Sequence, residues 1–288
     1  MHPILFDIPV PWGTGSQPVY AYGVMLGISL LIGWQIVMFL GRRAGLSTGL
    51  LGDVYLTAAI SGIVGARLLY VLTNFDEVSS PAQWLDIRSG GLVAYGGFIS
   101  GFLGALLHLR LKKAPLLAFA DPAAPAIALG LFFTRIGCYL YGCDFGARLP
   151  ASAPAWLAQL GTFPHWQGGE LRGSPAFLHH VDVYGLSRDA LASYPVHPTQ
   201  LYEALLGLLL AAACLVVLHK RKWSGQALLV LTLGYAVGRF LLEYLRDDPE
   251  RGEAFGFSTS QLISLVLVPI AGIAYSTLAR RAREASVR

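Results

Sequence analysis

Residues 19–40 read VYAYGVMLGISLLIGWQIVMFL, a run with no charged residue that ends at once in Gly41-Arg42-Arg43. A helix needs about 20 apolar residues to cross a bilayer core, so this stretch is long enough to span one. Working outward, the same reading applies to 54–72, 92–111, 116–141, 201–218, 226–245 and 260–279. Seven such runs predict an all-α, polytopic membrane protein with seven transmembrane helices in one domain covering 1–288. In the fourth run, Asp121 followed by Pro122 predicts a late helix start, with the aspartate as N-cap and proline in the first helical position. The composition agrees: 55% of the chain is hydrophobic and 13% charged, against about 25% charged in an ordinary soluble domain. Disorder and a soluble enzyme are excluded, and three cysteines are too few for a disulfide scaffold.

A net charge of +4 does not argue for nucleic acid in such a chain, because distribution matters more than sum. Arg42, Arg43, Arg110, Lys112, Lys113, Lys220, Arg221, Lys222, Arg280, Arg281, Arg283 and Arg288 all fall on one side, twelve of 21 basic residues. The other side holds Arg88, Arg148, Arg172, Arg188, Arg246 and Arg251 over far more chain, mixed with Asp76, Glu77, Asp86, Asp247 and Asp248. The positive-inside rule then predicts an external N-terminus and a cytoplasmic C-terminus. The first run follows a proline-containing start without a basic segment, so it is expected to remain rather than be cleaved. Residues 143–198 carry Pro150, Pro154, Pro164, Pro175, Pro195 and the pair Gly168-Gly169, and predict a small extracytoplasmic cap inserted between helices four and five.

Three arginines interrupt the apolar runs: Arg67, Arg135 and Arg239. Each lies about five or six residues before the outer end of its span, a common depth of roughly 8 to 9 Å at 1.5 Å per residue. One arginine alone reads as snorkelling to the headgroups. Three at one depth, at the acidic end, predict an anion site in the outer leaflet. Tyr22, Tyr95, His197, Thr199, Gln200 and Glu203 belong to the same level, and Glu243 follows Arg239 by one helical turn, as an ion-pair partner would. Planar guanidinium forks suit phosphate, and the phosphate of an outer leaflet belongs to phospholipid. Gly90, Gly91, Gly96, Gly97, Gly101 and Gly104 crowd the third span and its entrance; Gly97 and Gly101 have the small-xxx-small spacing of close helix packing. Cys138 and Cys143, five apart on one helix, would face different ways, so free thiols are expected there, as at Cys214. His165, His179 and His180 have no metal-ligand spacing, and neither a metal nor a cofactor is expected.

The motifs Tyr22-Gly23, GARLLYVL around Arg67, GGLVAYGG at 90–97, RIGCYLYGCDFG at 135–146, HPTQLYEA at 197–204 and GRFLLEYLR at 238–246 together resemble the bacterial prolipoprotein diacylglyceryl transferases. The resemblance implies seven spans in the inner membrane. It also implies transfer of a diacylglyceryl group from phosphatidylglycerol to the lipobox cysteine thiol of a prolipoprotein signal peptide, releasing glycerol phosphate. It assigns Arg135 to phospholipid and makes Arg239 essential, with Arg67, Tyr22, Glu243 and Glu203 as further lipid-binding candidates. A thiol titrates near 8.5 and needs a base or a positive field to attack; Tyr95 and His197 are the candidate bases. Many members have histidine where this chain has Tyr95, and asparagine and glutamate where it has Cys138 and Cys143. The competing reading is an anion or lipid transporter with an arginine-lined path, but no repeated half with broken helices is visible. A retinal protein is excluded because Lys112, Lys113, Lys220 and Lys222 all fall in loops.

Overall fold

The computed structural model describes residues 3–9, 16–76, 78, 80–86, 91–166, 173–247 and 252–287. Glu77, Arg88, Gly90, Gly168, Gly169, Arg172, Asp248, Arg251 and Arg288, all used above, lie outside the described residues. The chain divides into two compact units, Trp34–Ala123 and the pair Met1–Gly33 with Ala124–Arg288. Each is described by itself.

The chain opens with an antiparallel hairpin of β1 (Ile4–Pro9) and β2 (Ser16–Tyr20), pairing Phe6 with Val19 and Ile8 with Gln17. The all-α expectation is corrected here. Ile4, Phe6, Ile8, Val19 and Tyr20 favour extended backbone, and Pro9 and Pro18 keep helix out of this segment. Helix α1 (Ala21–Arg43) follows directly, and its last turn carries Arg42 and Arg43, where cations favour the helix dipole.

In the unit Trp34–Ala123, α2 (Thr48–Thr73), the short α3 (Pro81–Leu85) and α4 (Ala94–Leu111) join the second half of α1. The α2–α4 contact is built from missing side chains. A Cβ on Gly96 would lie 2.3 Å from the Gly65 carbonyl oxygen, and one on Gly104 2.3 Å from Ser61 Oγ. Gly97 and Gly101 share that interface with more room, at 3.4 Å from Gly62 O and 3.1 Å from Ala58 O. The expected spacing is present, but the tighter approaches are at Gly65, whose added Cβ would lie 1.9 Å from Ser100 Oγ, and at Gly96 and Gly104. Thr57 Oγ1 and His108 Nδ1 join the two helices 2.9 Å apart.

Helix α5 (Leu116–Tyr141) corrects the expected late start. The helix begins immediately after Pro115, whose carbonyl accepts from Ala118 N–H at 3.1 Å. Leu116 to Ala120 are apolar helix formers that need no side-chain cap, so Asp121 and Pro122 fall inside the helix. Membrane helices tolerate such prolines when neighbouring groups satisfy the freed carbonyl.

In the other unit, α5 from Ala124 onward is followed by α6 (Ala155–Leu160), α7 (Pro175–Tyr184), α8 (Thr199–Lys220) and α9 (Gln226–Leu242), which tightens into a 3-10 turn at Glu243–Leu245. The strands β3 (Glu253–Ala254) and β4 (Phe257–Ser258) lead into α10 (Thr259–Val287). Small residues close the bundle: Ala124, Ala128, Ala211, Cys214 and Ala227 form its buried centre with Leu210 and Leu231. Two turns beyond Ala128 on α5 comes Arg135, and one turn before Gly207 on α8 comes Glu203, so close packing of α5 and α8 fixes both charges. Phe145, Phe163, Ala176 and Val196 form a separate apolar centre within the described part of 143–198.

Among the described residues, six helices are long and apolar enough to cross a membrane: α1, α2, α5, α8, α9 with its 3-10 turn, and α10. The remaining expected span, 92–111, folds as α4, an 18-residue helix carrying His108 and Arg110 in its last turn.

Candidate active site

Arg135 projects from the C-terminal part of α5 and meets two carboxylates. Its Nε lies 2.9 Å from Glu203 Oε2 and one terminal nitrogen 2.5 Å from Asp144 Oδ2. Arg239, from α9, places its Nε 3.6 Å from Glu203 Oε1, donates to Glu243 one turn on, and donates to Ser260 Oγ at 3.0 Å. Arg246 donates to the other oxygen of Asp144 and comes within 3.9 Å of Glu203. Glu203 is the hub: it touches all three guanidiniums and accepts from Tyr235 Oη at 3.4 Å, while its side chain is only 3% exposed. Three arginines and three carboxylates alternate, and the cluster is electrically neutral.

Asp144 differs from its partners because its side chain is 28% exposed, the most open member of the cluster. Its backbone adopts φ 58°, a left-handed conformation that aspartate tolerates better than most residues. Thr199 Oγ1 donates to its carbonyl at 2.7 Å, and Gln200 Nε2 donates to the carbonyl of Cys143 at 2.6 Å. These two polar residues of α8 therefore hold the loop after α5. The Oε1 of Gln200 is buried with no hydrogen-bond partner among the described residues. Burial alone would raise the Asp144 carboxyl, but the Arg135 and Arg246 guanidiniums outweigh it and hold the group well below the usual carboxylate range.

The loop is pinned on its other side by backbone. Gly146 N–H donates to His197 O at 3.0 Å, and Ala147 N–H donates to Leu245 O at 2.7 Å. A Cβ on Gly146 would lie 2.5 Å from Leu245 O and 2.7 Å from His197 Cβ, so only glycine lets the three strands of chain meet. The His197 ring faces Tyr202, with Nδ1 3.3 Å from its hydroxyl, and burial lowers its pKa, which keeps the imidazole neutral. Tyr22 lies against Gly137, where an added Cβ would come within 3.2 Å of its ring, and its charged neighbours include Arg135 and Asp144.

Arg67 and Tyr95 belong to the other unit. Arg67 is 7% exposed, and its guanidinium donates to the carbonyls of Trp84 and Gly91, each at 3.0 Å, and to that of Gln83. It ties α3 and Gly91 to α2. Tyr95, in the first turn of α4, is 43% exposed.

Asp144 and Arg246 are not among the site residues expected from the sequence: Arg246 counts there only as a loop charge, and Asp144 occurs only within the motif at 135–146. A signal existed: Arg239, Glu243 and Arg246 recur at i, i+4 and i+7, one face of a continuing helix. The cysteines also differ from expectation. Helix α5 ends at Tyr141, Gly142 turns back with φ 84°, and Cys138 and Cys143 place their sulfurs and an Asp144 oxygen within 4.8 Å of one another. A hydrogen bond to Cys138 and then burial push the Cys143 thiol well above its ordinary pKa.

A family profile described as "Prolipoprotein diacylglyceryl transferase" matches residues 9–277. The chain belongs to the prolipoprotein diacylglyceryl transferase family. Among curated relatives, the phosphatidylglycerol–prolipoprotein diacylglyceryl transferase 2 of Clostridium perfringens is 30% identical over 256 residues, 88% of this chain and 89% of the relative. The phosphatidylglycerol–prolipoprotein diacylglyceryl transferase of Thermus thermophilus is 33% identical over 264 residues, 88% and 92% of the two chains. That of Clostridium tetani is 29% identical over 270 residues, covering 94% and 95%. This family member is a transferase and a multi-pass membrane protein.

Proposed function

We propose that this transferase moves the diacylglyceryl group of phosphatidylglycerol to the thiol of a lipobox cysteine in a prolipoprotein signal peptide, the first step of bacterial lipoprotein maturation. The observation that carries the reading is the convergence of Arg135, Arg239 and Arg246 around Glu203 and Asp144. Asp144 occupies the position that a lipid phosphate would take. Its two oxygens are gripped by two guanidiniums, and it is the most exposed carboxylate of the cluster. A phosphate that replaces it keeps the same donors and gains the positive field of Arg135 and Arg246.

The reaction breaks the bond between the glyceryl carbon and the phosphate oxygen as the thiolate attacks that carbon. Negative charge grows on the departing glycerol phosphate, where preorganised guanidiniums stabilise it. The thiol loses its proton to a base. His197 and Tyr95 are the candidates for that role, with Tyr22 beside the lipid. Glu203 and Glu243 hold Arg135 and Arg239 in place, and Arg67 organises the entrance of α4.

The chain is read as one transmembrane domain, 1–288, in the bacterial inner membrane, with α4 as a seventh span. Residues 143–198 form an extracytoplasmic cap, the N-terminus is outside and the C-terminus cytoplasmic. The asymmetry of basic residues supports this orientation. The test incubates purified protein with phosphatidylglycerol and a lipobox peptide and follows the peptide's mass. A diacylglyceryl gain that disappears in Arg135→Ala and Arg239→Ala is expected. Anion flux without peptide modification would replace the reading with a transporter.

A further inference from the structure

We infer that Cys138 and Cys143 form a reversible redox site, a dithiol that closes to an intramolecular disulfide by exchange with a small-molecule or protein disulfide. Five residues on an uninterrupted helix are about 140° apart around the axis, which would keep the thiols separate. The end of α5 removes that separation. Gly142 adopts φ 84°, and both its N–H and that of Cys143 donate to the Cys138 carbonyl, at 2.7 and 3.2 Å. The chain thereby folds Cys143 back over Cys138 and brings the two sulfurs within 4.8 Å. Closing that gap to the roughly 2.05 Å of a disulfide is within the reach of side-chain rotation.

Exposure assigns the order of events. Cys143 is partly exposed and meets the oxidant, whereas Cys138 is 6% exposed and resolves the intermediate. Cys143, whose raised pKa makes this step slow at neutral pH, loses its proton and attacks a sulfur of the oxidant, whose S–S bond breaks and whose other half takes up a proton and leaves as a thiol. The Cys138 thiolate then attacks Cys143 Sγ, and the second half leaves in the same way. Two S–H bonds become one S–S bond, and the oxidant's disulfide becomes two thiols. Arg135 lies 3.9 Å from Cys138 Sγ. The third cysteine, Cys214, is buried and points its sulfur at the Ala227 carbonyl 3.6 Å away, so it does not compete.

The switch adjoins the arginine cluster, because Asp144 is the next residue after Cys143. Drawing Cys143 onto Cys138 moves the peptide that carries the carboxylate shared by Arg135 and Arg246. This consequence for transfer rests on the function proposed above, whereas the thiol chemistry does not.

The test equilibrates the purified full chain in detergent with graded ratios of oxidised to reduced glutathione, then denatures it in acid, alkylates with N-ethylmaleimide and measures intact mass. Three adducts in the reduced chain and one, on Cys214, in the oxidised chain are expected, with loss of two hydrogens and full return on adding dithiothreitol. Cys138→Ser should instead trap glutathione on Cys143. Retention of three adducts across the whole range would overturn the proposal. So would a stable glutathione adduct on the unsubstituted chain, or stoichiometric zinc uptake by the reduced thiols that blocks oxidation. Because the unsubstituted chain alone decides the result, a serine variant that fails to fold leaves the outcome clear. Dithiol closure without any transferase activity would support this site while removing the functional reading.

Discussion

Replacing Glu203 by glutamine preserves the shape of the hub and deletes its charge. Glu203 lies 2.9 Å from Arg135, 3.6 Å from Arg239 and 3.9 Å from Arg246. At an effective dielectric of about 20, a unit-charge pair near 4 Å is worth about 4 kcal/mol before desolvation. Removing one partner of a buried pair costs about 3–5 kcal/mol, mainly because the remaining charge stays buried. The amide oxygen can still accept from one guanidinium, which favours the lower end, about 3 kcal/mol. At about 2–4 °C per kcal/mol, the midpoint of thermal unfolding should fall by about 6–12 °C. Misplaced guanidiniums should slow transfer by about 100-fold. The assay pairs thermal unfolding of the detergent-purified variant with the rate of lipobox-peptide modification. A midpoint within about 2–4 °C, the span of a single kcal/mol, together with undiminished transfer would refute the hub.

Gly96→Ala should destabilise by about 1–3 kcal/mol through overpacking, since its Cβ would meet the Gly65 carbonyl and Leu69 Cβ, at 2.3 and 2.7 Å. Gly97→Ala, with 3.4 Å of clearance, should be tolerated, and thermal unfolding of the pair checks the contrast. His180 accepts from Tyr194 N–H at 3.1 Å through Nδ1, and burial, then His179 and Arg148, bring its pKa from 6.5 to about 4. Its neutral form therefore stabilises the fold above pH 6.5, and that stability is lost as pH falls toward 4. His180→Asn keeps an acceptor for Tyr194 and should flatten this part of the unfolding-temperature profile between those two pH values.

The apolar runs were legible because a bilayer imposes length and composition on every helix that crosses it. Arg135 and Arg239 were legible for the same reason, since a charge inside an apolar run calls for an explanation. Asp144 was not, because a loop charge carries no such signal; Arg246 offered only its helical spacing from Arg239, and only the fold brings residue 144 against residue 246. The pairing of Cys138 with Cys143 depended on where α5 stops, a boundary that hydropathy does not resolve. The hairpin Ile4–Pro9 with Ser16–Tyr20 escaped because strands this short have too few residues to display a period.

A neutral arginine–carboxylate cluster also carries out its own reset. If a lipid phosphate displaces Asp144 as proposed, the return of that carboxylate between Arg135 and Arg246 after the leaving group departs would restore the neutral cluster. Turnover thus needs no inorganic salt to neutralise the vacated donors, and inhibition by high ionic strength should be weak.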